Sequence, residues 1–157
     1  MELQVLTPRA GAPAVQPARA GDYPALVALW RRSVEASHAF LAPGDVDGIE
    51  DEVRRGLKAV PELWLAEAEG APAGFLGCTG SHVDMLFVAP EHFRRGVGSL
   101  LLGHARRLHG PLRLSVNEGN AAALAFYRAR GFSVTGRSHA DSEGRPYPLL
   151  HLSQARA

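Results

Sequence analysis

Hydrophobic positions change period twice along this chain. Over residues 22–37 they fall at Leu26, Val27, Leu29, Trp30 and Val34, the spacing that gives a helix one apolar stripe. Asp22, just ahead of the stripe, reads as an N-cap. Pro43 and Gly44 are expected to break the chain before a second amphipathic helix around 49–57, with Glu50, Asp51, Arg54 and Arg55 as its solvated face. From Leu63 the period shortens. Residues 64–67 and 74–79 read as strands around Glu69-Gly70, a hairpin turn, and 83–88 as a further strand stopped by Pro90. Helical spacing returns through Leu100, Leu101, Leu102 and Ala105. A strand follows at 112–116, then an alanine-rich helix from Asn120 to near Arg130, with Gly131 as its C′ residue. Strands at 132–135 and 149–152 flank a turn signal at 141–144, and a short strand is expected at 15–18. Strands alternating with helices imply a mixed sheet covered by helices on both faces.

Residues 1–14, with Pro8, Gly11 and Pro13 and no periodicity, are expected to be a flexible lead-in to a single domain over 15–157. A length of 157 residues suits one domain, and 46% hydrophobic with 21% charged residues is an ordinary globular composition. A net charge of +1 gives no global reason to expect nucleic acid, so any anion site must be local. The single Cys78 cannot form an internal disulfide. No run of about 18 apolar residues offers a membrane span, and no basic-then-apolar leader opens the chain. A cytoplasmic protein is expected, either a monomer or a homodimer.

Two segments suggest chemistry. The strand ending at Leu86, Phe87 and Val88 is followed by Arg94-Arg95-Gly96-Val97-Gly98-Ser99 and a helix. The glycines let backbone approach a bound group, while the unpaired N–H groups and dipole of the helix start face the same spot, a cradle for phosphate. Farther on, Asn120 caps a helix carrying Ala121, Ala122 and Ala123 as a slim face, then Phe126 and Tyr127.

Together the segments resemble the GNAT N-acetyltransferase family, with its Q/R-x-x-G-x-G/A turn and its later N-x-x-A-x-x-F-Y helix. The matching residues are Phe93-Arg94-Arg95-Gly96-Val97-Gly98, then Asn120, Ala123, Phe126 and Tyr127, with F-Y-x-x-x-G-F complete through Phe132. Segments 33–41, 82–88 and 136–152 look like the bacterial YjaB-type branch. The resemblance implies an α+β fold of three α/β/α layers around a mixed, largely antiparallel sheet. It implies acetyl-CoA as cosubstrate, its pyrophosphate on residues Arg94, Arg95, Gly96, Val97, Gly98 and Ser99. Its pantetheine arm would lie along Asn120, Ala123 and Phe126. The family's first turn residue, Gln or Arg, is Phe93 here, and Arg94 or Arg95 is expected to substitute electrostatically.

The implied reaction is direct attack of a primary amine, on a small molecule or a protein, on the thioester. The resemblance makes Tyr127 the acid that protonates the leaving thiolate, and backbone N–H groups near Leu86, Phe87 and Val88 would polarise the carbonyl. One position used for a base in the family is Ser115 here, which cannot serve. Another is His82, with Asp84 two residues on and on the same strand face, so this pair is expected to handle the proton. Acceptor-pocket candidates are His38, Tyr147, Trp30, Ser33 and Phe40, with Trp30 and Phe40 also suited to a core. No metal, nucleic acid or membrane partner is expected. The rival reading is a CoA-binding regulatory protein that keeps the fold without the chemistry. A dinucleotide site is set aside, since the sixth position of G-x-G-x-x-G is Leu101.

Overall fold

The computed structural model describes residues 13–156. Of the expected lead-in only Pro13 and Ala14 fall within the described residues, and Ala14 already opens the first strand. The elements run β1 (Ala14–Pro17), α1 (Tyr23–Ser37), α2 (Pro43–Ala59), β2 (Glu62–Ala68), β3 (Ala71–Thr79), β4 (His82–Val88), α3 (Val97–His109), β5 (Arg113–Asn117), α4 (Ala121–Arg128), β6 (Phe132–Ser138) and β7 (Leu149–Gln154). The strands form one seven-stranded sheet in the order β1-β2-β3-β4-β5-β7-β6. Its neighbours are antiparallel except β4 and β5, which run parallel. This is the expected mixed, largely antiparallel sheet in an α+β fold.

Local chemistry explains most boundaries. Glu69 and Gly70 both have positive φ, 55° and 79°, which matches a two-residue turn to the twist of β2 and β3. Two boundaries differ from expectation. Asp22 precedes α1 but does not cap it, because its carboxylate accepts from the Arg19 N–H (2.8 Å) and closes a short 3-10 turn over Ala20–Asp22. Pro43 begins α2 instead of breaking the chain before it: at the first helical position its missing N–H costs nothing and its φ is already helical.

Two apolar clusters fill the layers. On one face α1 and α2 bury Leu26, Leu29, Trp30, Val34 and Leu57 against Leu65, Phe75 and Phe87. On the other, α3 and α4 bury Val97, Leu101, Ala105 and Tyr127 against Leu76, Leu114, Val116 and Leu152. Helix α3 lies so close to β3 that a Cβ at Gly74 would stand 2.8 Å from Val97 Cγ1. Helix α1 lies over β3 and β4, whereas β5 alternates, with Leu114 and Val116 buried in the α3–α4 core between exposed Arg113 and Ser115. Between the two arms the sheet parts: β4 and β5 pair only at His82 with Arg113, and diverge toward Leu86 and Val116.

Candidate active site

A cleft of about 970 Å³ occupies this parting and is lined from both faces. Ser33, Ser37 and His38 of α1 line it from one side, and Gly96–Ser99 with residues of α4 from the other. The strand ends Leu86, Phe87 and Val88 and, across the gap, Ser115 and Val116 form its walls. With no strand beside them, backbone groups on that edge of β4 are free to bind a ligand.

The turn into α3 has the backbone the sequence suggests. Gly96 is the N-cap with φ 82°, a left-handed conformation that favours glycine. Arg94 also has φ 61°, uncommon for a residue with a side chain and typical of places where function sets the backbone. The first N–H groups of α3 have no carbonyl to reach within the helix. Gly98 also has a packing role. A Cβ there would meet Phe126 Cζ at 2.9 Å, so its smallness admits the α4 ring as well as any ligand. Phe93 is exposed and lines the cleft, as does Arg94, whereas Arg95 does not.

Helix α4 is fixed at both ends. Asn120 Oδ1 accepts from the Ala123 N–H (3.1 Å), a cap of about 1 kcal/mol. Its Nδ2 then donates to His38 Nε2 (3.2 Å). His38 Nδ1–H donates to Ser37 Oγ (2.7 Å), whose hydroxyl donates to the Ser33 carbonyl (2.7 Å). Both ring nitrogens are thus committed in the neutral form, and burial lowers the His38 pKa from its ordinary value. At the other end Arg130 stacks 3.7 Å over the Phe126 ring and donates to Ser99 Oγ (2.7 Å) and to the Phe126 carbonyl (2.8 Å). This cation beside the α3 turn was not legible as a site residue in the sequence, since only folding brings position 130 to position 99. The Tyr127 ring packs edge-on against Phe126 and Phe132 while the residue lines the cleft. Burial raises its pKa well above that of a free phenol, so it is protonated at neutral pH.

The structure joins His82 to Asp84, Nδ1 donating to Oδ1 at 2.7 Å, while Thr79 Oγ1 donates to Oδ2 at 2.7 Å. Asp84 lines the cleft but His82 does not. Among the acceptor candidates, Ser33 and His38 line the cleft. Trp30 does not: it is 1% exposed in the core, edge-on to Phe87, because its place on the α1 stripe turns it to the sheet. Tyr147 is also outside. Its hydroxyl donates to Asp45 and accepts from the Ala42 N–H (3.0 Å), clasping the β6–β7 loop to the start of α2, and Phe40 packs against its ring. Unforeseen in the sequence is a histidine behind Ser115: His151 on β7, whose Nδ1 is 2.7 Å from Ser115 Oγ and whose Nε2 is 2.6 Å from Ser138 Oγ.

The family model described as an acetyltransferase (GNAT) domain matches residues 60–134, which span β2 to the start of β6. The peptidyl-lysine N-acetyltransferase YjaB of Escherichia coli K12 is 45% identical over 133 residues, covering 84% of this chain and 90% of that protein. This chain belongs to the GNAT acetyltransferase family. Its YjaB relative in Salmonella typhimurium is 44% identical over 81% of this chain and 88% of the relative. The solution structure of apo YjaB from E. coli superposes with a TM-score of 0.85 at 42% identity, covering 92% and 99% of the two chains. The GNAT fold is also seen in the PaiA N-acetyltransferase of Thermoplasma acidophilum in complex with coenzyme A, with a TM-score of 0.69 at 18% identity over 91% and 98%. As a GNAT enzyme the chain is an N-acetyltransferase. No helix among its described residues is long and apolar enough to cross a membrane.

Proposed function

We propose that this GNAT enzyme transfers the acetyl group of acetyl-CoA to the side-chain amine of a protein lysine, working as a single domain in the bacterial cytoplasm. One observation carries the reading: the cleft passes through the sheet, so donor and acceptor reach the same point from opposite faces. The relatives named peptidyl-lysine N-acetyltransferases support the acceptor class.

In this reading the α3 turn (Gly96, Val97, Gly98, Ser99) holds the pyrophosphate through backbone N–H groups, helped by Arg94 and Arg130 in place of the side chain missing at Phe93. Arg95, outside the cleft, contributes only to the local field. The pantetheine arm lies between β4 and the slim α4 face of Asn120, Ala123 and Phe126. The lysine approaches over the face bearing Ser33, His38 and Asp84, whose carboxylate draws the ammonium toward the thioester. His82 is then the partner that holds Asp84, and meets the amine only through it.

The ammonium gives one proton to water, the neutral amine attacks the carbonyl carbon, and the π pair moves onto oxygen, where N–H groups at Leu86, Phe87 and Val88 stabilise it. Collapse breaks the C–S bond, and Tyr127 gives its proton to the thiolate. Tyr127→Phe is expected to lower kcat on a lysine peptide by about 10²-fold or more, with acetyl-CoA affinity little changed. Mass spectrometry of peptides incubated with enzyme and acetyl-CoA tests the class. Acetylation confined to free N-termini or to small amines would overturn the lysine assignment.

A further inference from the structure

We infer that Ser115 and His151 form the proton exit for the acceptor amine, Ser115 receiving the proton and His151 taking it up through the serine. The inference rests on the acetyl-transfer reading and adds a group that the family resemblance did not point to.

The geometry begins with register. β5 and β7 are antiparallel, with Ser115 directly opposite His151. Leu114 and Val116 on one strand, and Leu152 on the other, turn into the α3–α4 core. By the period of two, Ser115 and His151 therefore share the opposite face, the one from which the acceptor approaches. Ser115 lines the cleft there, while Tyr127 lines it from the α4 side. Acid and proton acceptor thus stand on opposite faces of the sheet, as attack from one side and departure on the other require.

The imidazole is fixed at both nitrogens. With Nε2–H donating to Ser138 Oγ (2.6 Å), Nδ1 keeps its lone pair for the Ser115 hydroxyl (2.7 Å). On β6 the residue opposite His151 is Gly136, at the register shift that follows Val134. The charged groups on the packed strands are Arg113, two residues from Ser115 on the same face, and Arg137. The latter is paired with Glu118 (2.9 Å) and touches His139 (3.0 Å).

The step balances. As the amine nitrogen bonds the carbonyl carbon, its surplus proton passes to Ser115 Oγ, and the proton Ser115 already carried passes to His151 Nδ1. The product is an amide and an imidazolium donating to Ser138. Water on the open face then removes the proton. His82 reaches the cleft only through Asp84, to which its Nδ1–H already donates, so on that side it has no lone pair for a proton from the cleft.

The test is the pH dependence of kcat/KM on a lysine peptide for wild type, Ser115→Ala, His151→Ala and His82→Ala. Wild-type turnover checks the underlying reading first, and a wild type without it would sink that reading rather than this one. Unchanged acetyl-CoA affinity by calorimetry shows that the variants are folded. Ser115→Ala and His151→Ala are each expected to lose about 10²-fold at neutral pH and to recover at alkaline pH, where the amine sheds its own proton. The double variant should fall no further than the weaker single one, since both stand on one path, and His82→Ala should keep the acidic limb. An acidic limb unchanged in His151→Ala, or lost in His82→Ala, would overturn the assignment.

Discussion

Strands β3 and β5 lie two places apart in one sheet, yet they are built on different plans. β3 is buried at six consecutive positions, from Ala73 to Cys78, because helices cover both its faces. β5 alternates, Leu114 and Val116 buried between the exposed Arg113 and Ser115. The contrast extends to their arms. The arm of β1–β4 spends most of its side chains on packing, and its edge at the cleft leaves backbone groups of Leu86, Phe87 and Val88 without a strand beside them. The arm of β5, β7 and β6 packs with one face and keeps the other for polar groups. Ser115, Ser138 and His151 form a hydrogen-bonded line on the face turned away from the α3–α4 core.

That contrast is sharpest in stability. Phe75→Ala in β3 removes a fully buried ring packed 5.7 Å from Phe87, and is expected to cost about 3–5 kcal/mol. Ser153→Ala on the open face of β7 should stay within about 0.5 kcal/mol. Urea unfolding of the two variants makes the comparison, and equal losses would mean that the arms are packed alike.

A smaller effect is expected where the arms meet across the ligand. Arg130→Ala removes the cation that ties α4 to Ser99, and should weaken acetyl-CoA by about tenfold, the scale of one charge-assisted hydrogen bond. Calorimetry decides it, with Arg95→Ala, outside the cleft, as the variant that should bind normally.

The smallest effect comes from His38, which joins α1 to the start of α4. Its pKa is lowered in the folded state, so below about 6.5 the unfolded chain takes up the proton first and stability falls with pH. The slope should be less than about 1.4 kcal/mol per pH unit, since the site is half-buried and partly screened. Urea unfolding midpoints for wild type and His38→Gln check it. The variant should lose this acidic dependence, and an identical fall in both would assign it to other groups.

What the sequence made legible was whatever depends on neighbours along the chain. The Glu69-Gly70 turn, the Asn120 cap and the glycine turn into α3 all follow from local rules. The α2 start was misjudged because proline breaks a helix interior but opens a helix end, and local pattern does not say which end is meant. Among site residues, Tyr127 and the α3 turn belong to contiguous motifs. Trp30 and Tyr147 sit on elements expected to border the pocket, and the packing of α1 and the clasp to α2 place them elsewhere. Ser115 was dismissed as too weak a base. Its partner lies 36 residues away on another strand, and only the register of β5 with β7 brings them together.

The single paired position between β4 and β5 has a consequence for motion. A sheet normally protects its central amides from exchange with solvent, but here the least protected seam lies at the middle of the sheet. The two half-sheets therefore share few hydrogen bonds across this seam. A ligand laid along the seam takes the place of the absent strand contacts, and so becomes a structural member as well as a reactant. Occupied at a hundred times its dissociation constant, it adds about 2.7 kcal/mol to the stability of the whole fold. Binding there would count toward the stability of the fold as well as toward turnover.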